Sequence, residues 1–166
     1  MEYTFRKGRA GDEKVLYPIY MSYVGKPGCL WDEEYPSEEI LRADIDAGLL
    51  FVLADENDTP VAADVIESDD DDDLNSLKCW GTSKDAKNPC AFGRLVVRND
   101  LRGLKLGYEI INKTMAEAKA LGYDYGRFLV WIENTHAIEL YDRMGFTRAG
   151  GTHFFNADWY CYDMKL

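Results

Sequence analysis

The chain has 166 residues and carries a formal net charge of −11, with 46% hydrophobic and 13% aromatic residues. That length suits one domain, taken as residues 1–166, with a core of its own, and that composition excludes a disordered polypeptide. The acidity argues against nucleic acid as a partner, because basic stripes supply most of that affinity, and it mildly favours a cationic substrate.

No apolar run approaches the roughly 18 residues of a membrane span. Glu2, Arg6 and Lys7 interrupt any apolar leader, so no membrane partner and a cytoplasmic setting are expected. Cys29, Cys79, Cys90 and Cys161 are scattered and form no Cys-x-x-Cys pair, and His136 and His153 are the only histidines. No metal site is expected from that spacing. The cysteines read as free, mostly buried thiols; a Cys79–Cys90 cross-link has only proximity in sequence behind it.

In chain order, residues 3–6 begin a strand. Asp12 reads as the N-cap of a helix whose apolar face is Val15, Leu16, Ile19 and Tyr20. Glycines 25 and 28 break it. A second helix runs from an N-cap at Ser37 to Ala47, with Gly48 as its stop. Residues 49–54 and 61–67 read as a hairpin around the turn at 55–60. Five consecutive aspartates, 69–73, read as a solvated loop; calcium loops space their acids and need a turn glycine. Residues 74–89 carry little legible pattern, although Leu77, Cys79 and Trp80 point to packing.

Residues 91–97 form a buried strand, and a helix follows from about Leu104 to Gly122 with Tyr108, Ile111, Met115 and Ala118 on one face. Gly103 and Gly107 sit where strand becomes helix, flanked by Arg102 and Lys105. The first amides of a helix lack partners within it, and the helix dipole favours negative charge there. The stretch therefore reads as a pyrophosphate cradle or as an ordinary strand–turn–helix unit. It is neither a Walker loop nor a Gly-x-Gly-x-x-Gly fingerprint. Residues 127–132 form another buried strand, a short helix spans His136 to Met144, Gly145 stops it, Phe146 starts a strand, and Trp159 to Met164 alternate as the last one.

Two motifs carry a resemblance that extends over essentially the whole chain. Arg94-Leu95-Val96-Val97 followed by Arg102-Gly103-Leu104-Lys105-Leu106-Gly107 resembles the strand and the Arg/Gln-x-x-Gly-x-Gly/Ala loop of the GNAT superfamily of N-acetyltransferases. Asn134 through Phe146 resembles that family's Asn-x-x-Ala-x-x-Leu-Tyr-x-x-x-Gly-Phe segment. One departure is Lys105, which stands where the family has glycine.

The resemblance implies an α/β (α+β) fold: a mixed, mostly antiparallel sheet of six to seven strands, helices on both faces and splayed central strands. It implies transfer of an acetyl group from acetyl-CoA to a primary amine of a small molecule or peptide by direct attack on the thioester, without a metal. Amides of Arg102, Gly103, Leu104, Lys105, Leu106, Gly107 and Tyr108 would hold the pyrophosphate. Main-chain groups of Leu95, Val96 and Val97 would run beside the pantetheine. Asn134 would offer its amide to the cofactor or cap a helix. Tyr141 would protonate the departing thiolate, or serve only as packing with Ile138 and Met144.

The amine must lose a proton, since an alkyl ammonium titrates near 10.4. Glu67, Asp64 and Glu133 are candidate bases, as is water; strand alternation puts Asp64 and Glu67 on opposite faces. A non-catalytic acyl-CoA-binding module is the competing reading. Family members often pair through their C-terminal strands, which implies a possible homodimer through the aromatic stretch from Trp159 to Tyr162.

Overall fold

Strand β1 (Thr4–Lys7) leads into helices α1 (Asp12–Met21) and α2 (Glu38–Asp46), strands β2 (Leu50–Ala54), β3 (Pro60–Glu67) and β4 (Pro89–Val97), helix α3 (Leu106–Ala120), strand β5 (Tyr125–Trp131), helix α4 (Thr135–Arg143), and strands β6 (Thr147–Phe154) and β7 (Ala157–Lys165). A 3-10 turn, Asn99–Leu101, lies between β4 and α3. The computed structural model describes residues 2–67 and 77–166, so the expected aspartate loop lies outside the described residues. The order of elements is the one read from the sequence. The seven strands are arranged β1-β2-β3-β4-β5-β7-β6. β1, β2 and β3 pair antiparallel, as do β5, β7 and β6, while β4 and β5 are parallel.

The chain divides into two compact units, one of residues 1–66 and 93–114, the other of residues 67–92 and 115–166. In the first, alternation along the strands sends side chains to two cores. Leu50, Val52, Ala63 and Val65 pack with Leu16, Ile19 and Tyr20 of α1 and Leu41 and Ile45 of α2. Leu53, Val61 and Ala62 pack with Leu101 and with Leu106 and Ile110 of α3. Both sets are essentially inaccessible to water. At roughly 1.5–3 kcal/mol for each large aliphatic buried, they dominate the stability of this half.

Local chemistry fixes the helix ends. Ser37 caps α2, its hydroxyl accepting from Ile40 N at 3.2 Å. Asp12 is not the cap of α1. Gly11 occupies that position, and its amide is caught by the Glu13 carboxylate at 2.7 Å. Asp12 instead accepts from Arg9 N and pairs with Arg6 at 2.7 Å, and the same guanidinium also reaches Asp58. Burial works against the charged form of Glu13, yet the amide bonds and Arg42 prevail and hold its carboxyl below the usual range.

The buried face of α3 also differs from expectation. Leu106, Ile110, Ile111, Thr114 and Ala118 are buried, Met115 is half-buried and Tyr108 is exposed. Two stripes overlap on this helix. The one through Leu106 and Ile110 packs on Leu53, Val61 and Leu101, and Thr114 is tolerated on it because its hydroxyl donates to Ile110 O at 2.9 Å.

In the second unit, β7 lies between β5 and β6. The stretch from Trp159 to Tyr162 is therefore no sheet edge: β6 returns antiparallel and covers it, with Tyr162 opposite Arg148 and Tyr160 opposite Gly151. Residues 77–88 form a strap tied to β7. Cys79 is joined to Cys161 by a disulfide with Cα atoms 6.1 Å apart, while Cys29 and Cys90 form no disulfide. The expectation of four thiols fails here because a strap with no legible pattern carries Cys79 to a strand 82 residues away. Gly150 admits the close approach: a Cβ there would come within 2.9 Å of Cys79 O.

Candidate active site

Each unit holds part of what the sequence singled out. In the first, β4 delivers the chain to a loop anchored at both ends. Arg98 N donates to Val61 O at 2.8 Å, and Asn99 Nδ2 donates to Ser22 Oγ at 2.6 Å. Leu95 and Val97 pack towards the Leu101–Leu106–Ile110 core and Val96 towards the other, so side chains of this strand are committed to packing.

The loop then turns through two left-handed residues, Gly103 (φ 86°) and Lys105 (φ 61°). Glycine adopts that conformation without strain, whereas a side chain there costs about 1–2 kcal/mol. Lys105 thus holds a backbone conformation that glycine enters without strain, and α3 starts immediately after it. Glu109 N donates to Lys105 O at 3.0 Å, the first bond of the helix. Arg102 N and Leu104 N are used within the turn. The amides of Gly103, Lys105, Leu106, Gly107 and Tyr108 donate to no acceptor among the described residues. The N-cap position is held by lysine, which has no acceptor to offer, where serine or aspartate would have satisfied one of them. Arg102, Leu104, Lys105 and Tyr108 are exposed.

Tyrosines of α1 and the turn after it hold β4 in place, a role the sequence did not disclose. Tyr23 OH donates to Val97 O at 2.6 Å, and its ring lies 5.7 Å from the Arg102 guanidinium. Tyr20 OH donates to Arg94 O. Arg94 is itself left-handed (φ 54°) within β4, a break in regular pleating of the kind a bulge produces. Its guanidinium is held by Asp44 through two bonds of 2.9 and 3.0 Å and donates to Tyr35 OH at 3.0 Å. Burial raises the Tyr20 phenol well above its ordinary range against the pull of Arg94. Burial likewise raises Asp44, opposed by the same arginine. These partners lie 50 or more residues apart, and no local pattern marks them. Trp31 packs edge-on to Tyr20 at 5.1 Å and to Tyr23 at 6.3 Å.

Of the candidate bases, Asp64 is buried within β3 and accepts from Val65 N at 3.1 Å. Glu67, the last residue of β3, is half-buried. Glu133 is exposed in the turn after β5.

In the second unit, Asn134 caps α4: its side-chain oxygen accepts from Ala137 N at 3.1 Å, and its amide nitrogen is the polar group that remains. Tyr141 is half-buried, with its ring 4.4 Å from Phe128, 5.7 Å from Phe146 and 5.9 Å from Tyr162. Aromatic packing of this kind fixes the direction of the phenol. Next to it, Tyr162 OH donates to Asp142 at 2.8 Å and accepts from Arg148 at 3.2 Å. Burial, then the Asp142 bond, raises the Tyr162 phenol, with Arg148 opposing. His153 pairs with Asp158 at 2.8 Å on the surface, and His136 is exposed. Among the described residues, no group of three or more His, Cys, Asp and Glu could hold a metal ion, and no helix is long and apolar enough to cross a membrane.

A mixed sheet of this order, with an uncapped helix directly after one strand of its parallel pair, is the architecture of the acyl-transferring class anticipated above. The chain belongs to the acetyltransferase (GNAT) family, whose model matches residues 16–146. A GNAT-family acetyltransferase from Listeria monocytogenes is 16% identical with a TM-score of 0.75, over 100% of this chain and 96% of that one. A phosphinothricin acetyltransferase from Sinorhizobium meliloti, solved with acetyl-CoA, is 17% identical with a TM-score of 0.73, over 100% and 89%. The ribosomal-protein-S18-alanine N-acetyltransferase of Escherichia coli is 16% identical with a TM-score of 0.69, over 99% and 94%. At such identities the likeness is one of fold. No curated protein sequence matches the chain.

Proposed function

We propose that this chain transfers the acetyl group of acetyl-CoA to a primary amine of a small molecule or peptide. The observation that carries the reading is the set of five amides, at Gly103, Lys105, Leu106, Gly107 and Tyr108, that open the loop and α3 without an internal acceptor. N–H groups without acceptors at a helix start suit a pyrophosphate, and exposed Arg102 and Lys105 add charge. Main-chain groups of Leu95, Val96 and Val97 would pair with the pantetheine. Val97 O, which already accepts from Tyr23, keeps a second lone pair for that purpose. Asn134 would use its remaining amide nitrogen.

Attack on the thioester carbonyl needs the neutral amine, and the proton leaves through Glu67 or water. As the carbon–sulfur bond breaks, Tyr141 gives its phenolic proton to the thiolate. A phenol near 10 is matched to a thiolate near 8.5. The net charge of −11 favours a cationic acceptor. Among proteins of similar fold, the NatC complex was solved with a peptide and CoA, which supports a peptide as readily as a small molecule.

The test is calorimetric titration with acetyl-CoA, desulfo-CoA and adenosine diphosphate, followed by thiol release with a panel of amines. Micromolar binding that Gly107→Glu abolishes, by setting a carboxylate among the amides, supports the cradle. No binding by the folded protein overturns it. Binding without thiol release from any amine would replace the enzyme with a non-catalytic acyl-CoA-binding module.

A further inference from the structure

Helix α4 sits lightly on its sheet. It has nine residues, and none of them is fully buried. A helix of that length is marginal on its own, so its seat depends on a few contacts. At its N-terminal end the Asn134 side chain accepts from Ala137 N at 3.1 Å. In its last turn stands Asp142, whose charge opposes the helix dipole. Helix stability gives no reason for an acid at that place.

The carboxylate is used across the sheet instead. One oxygen accepts from Tyr162 OH at 2.8 Å, and the other accepts from a terminal nitrogen of Arg148 at 3.1 Å. Arg148 Nε donates in turn to Tyr162 OH at 3.2 Å, which closes the three groups into a ring. Tyr162 of β7 stands opposite Phe128 of β5 on one side and Arg148 of β6 on the other. Directly opposed residues point to one face, so Phe128, Tyr162 and Arg148 form a row across three strands. Arg148 is held from a further side, its guanidinium carbon 4.2 Å from the centre of the Tyr160 ring.

The hydroxyl of Tyr162 calls for a reason. Tyr162 is 0% exposed, and its ring stacks on Phe128 at 5.5 Å with the planes 4° apart. A phenylalanine would fill that place without bringing an oxygen into the core. The oxygen binds Asp142, the residue after Tyr141. The Tyr141 ring lies 4.4 Å from Phe128 and 5.9 Å from Tyr162, so it rests on the same stacked pair.

We propose that Asp142, Tyr162 and Arg148 are positioning residues for Tyr141: they clamp the end of α4 to β6 and β7 and so fix where its phenol points. The inference rests on the acid role given to Tyr141 above and assigns no proton transfer to the three. A reacting group misplaced by about 1 Å loses on the order of a hundredfold in rate. Loss of the clamp therefore acts on kcat, while binding of acetyl-CoA is kept.

The experiment has two readouts on the full chain. The first is thiol release from acetyl-CoA, with spermidine, phenethylamine and free lysine as acceptors. Tyr162→Phe and Arg148→Met should each lower kcat about tenfold and leave KM for acetyl-CoA within about twofold. In a Tyr141→Phe background neither should lower kcat further, because a group that acts through Tyr141 has nothing left to position. The second is the fluorine spectrum of the chain labelled with meta-fluorotyrosine, in which the Tyr141 line is identified by its loss in Tyr141→Phe. Arg148→Met leaves every tyrosine in place; it should split or broaden the Tyr141 line, while the lines of Tyr20 and Tyr23 stay and show that the chain is folded. An unchanged Tyr141 line, undiminished kcat in Tyr162→Phe and Arg148→Met, or an equal further loss in the Tyr141→Phe background would overturn the clamp. Full turnover by Tyr141→Phe, or no thiol release with any acceptor, removes the acid role instead, and the fluorine line alone then decides whether the clamp holds that ring.

Discussion

Replacing Lys105 by glycine removes the one residue at which the loop departs from its family's pattern. Lys105 has φ 61°. That conformation costs a residue bearing Cβ about 1–2 kcal/mol, and glycine adopts it freely. Against this, glycine gains freedom in the unfolded chain, which costs about 0.5–1 kcal/mol. A lysine at a helix start also opposes the dipole, and its removal returns about 0.3–1 kcal/mol at low salt. Lys105→Gly should therefore stabilise the apo protein by about 1–2 kcal/mol, whereas Lys105→Ala keeps the strain and recovers only the dipole contribution. Denaturant unfolding of the two variants isolates the strain as a difference of about 0.5–1 kcal/mol. If the cation touches a phosphate, both variants should also bind acetyl-CoA up to about fivefold more weakly at low salt, the yield of a screened surface contact. A glycine variant no more stable than the alanine variant would show that residue 105 is not left-handed, and the account of the cradle would fall with it.

Tyr141→Phe should cut turnover by about a hundredfold or more while leaving acetyl-CoA affinity within about twofold, measured by thiol release and calorimetry; unchanged turnover removes Tyr141 from its acid role. Tyr20→Phe removes a fully buried hydroxyl from the Arg94 carbonyl and should cost about 1–3 kcal/mol in denaturant unfolding. Replacing Cys79 and Cys161 by alanine reopens a loop of 82 residues, worth about 4–5 kcal/mol on a chain-entropy estimate, and a change under 1 kcal/mol would show that the bridge contributes little. The Glu13 carboxyl is depressed in the folded chain, so its contribution is present above the ordinary carboxylate range and is lost as pH falls through its lowered value. Glu13→Gln should accordingly flatten the fall in stability between about pH 5 and 3, followed by thermal unfolding across that range.

Those positions differ in how far the sequence disclosed them. Ser37 as a cap, Gly48 after α2 and the strand–loop–helix at residues 91–108 are local signals, written within a few residues of one another, and each stands where it was read. The order of elements follows from the same kind of information. Long-range pairing left no such trace: Tyr20 with Arg94, Arg94 with Asp44, Cys79 with Cys161. The stripe on α3 went to Leu106 rather than Tyr108, and it includes a buried threonine that satisfies itself, which a hydrophobic count does not register. The motif segment around Asn134 and Tyr141 was legible as a pattern, and the cap and the aromatic packing are both present in it. Pattern and packing serve fold and chemistry alike, so only kinetics separates the roles.

A helix whose opening donors await a guest has a consequence for the lifetime of the protein. The amides of its first turn have no acceptor among the described residues, so water alone satisfies them until a ligand does. A ligand that completes them stabilises the folded chain by about 2.7 kcal/mol at a hundred times its dissociation constant. On the reading proposed above, the steady-state amount of this protein would follow the supply of its own acyl donor. Starvation for that donor would lower abundance through proteolysis of the opened chain.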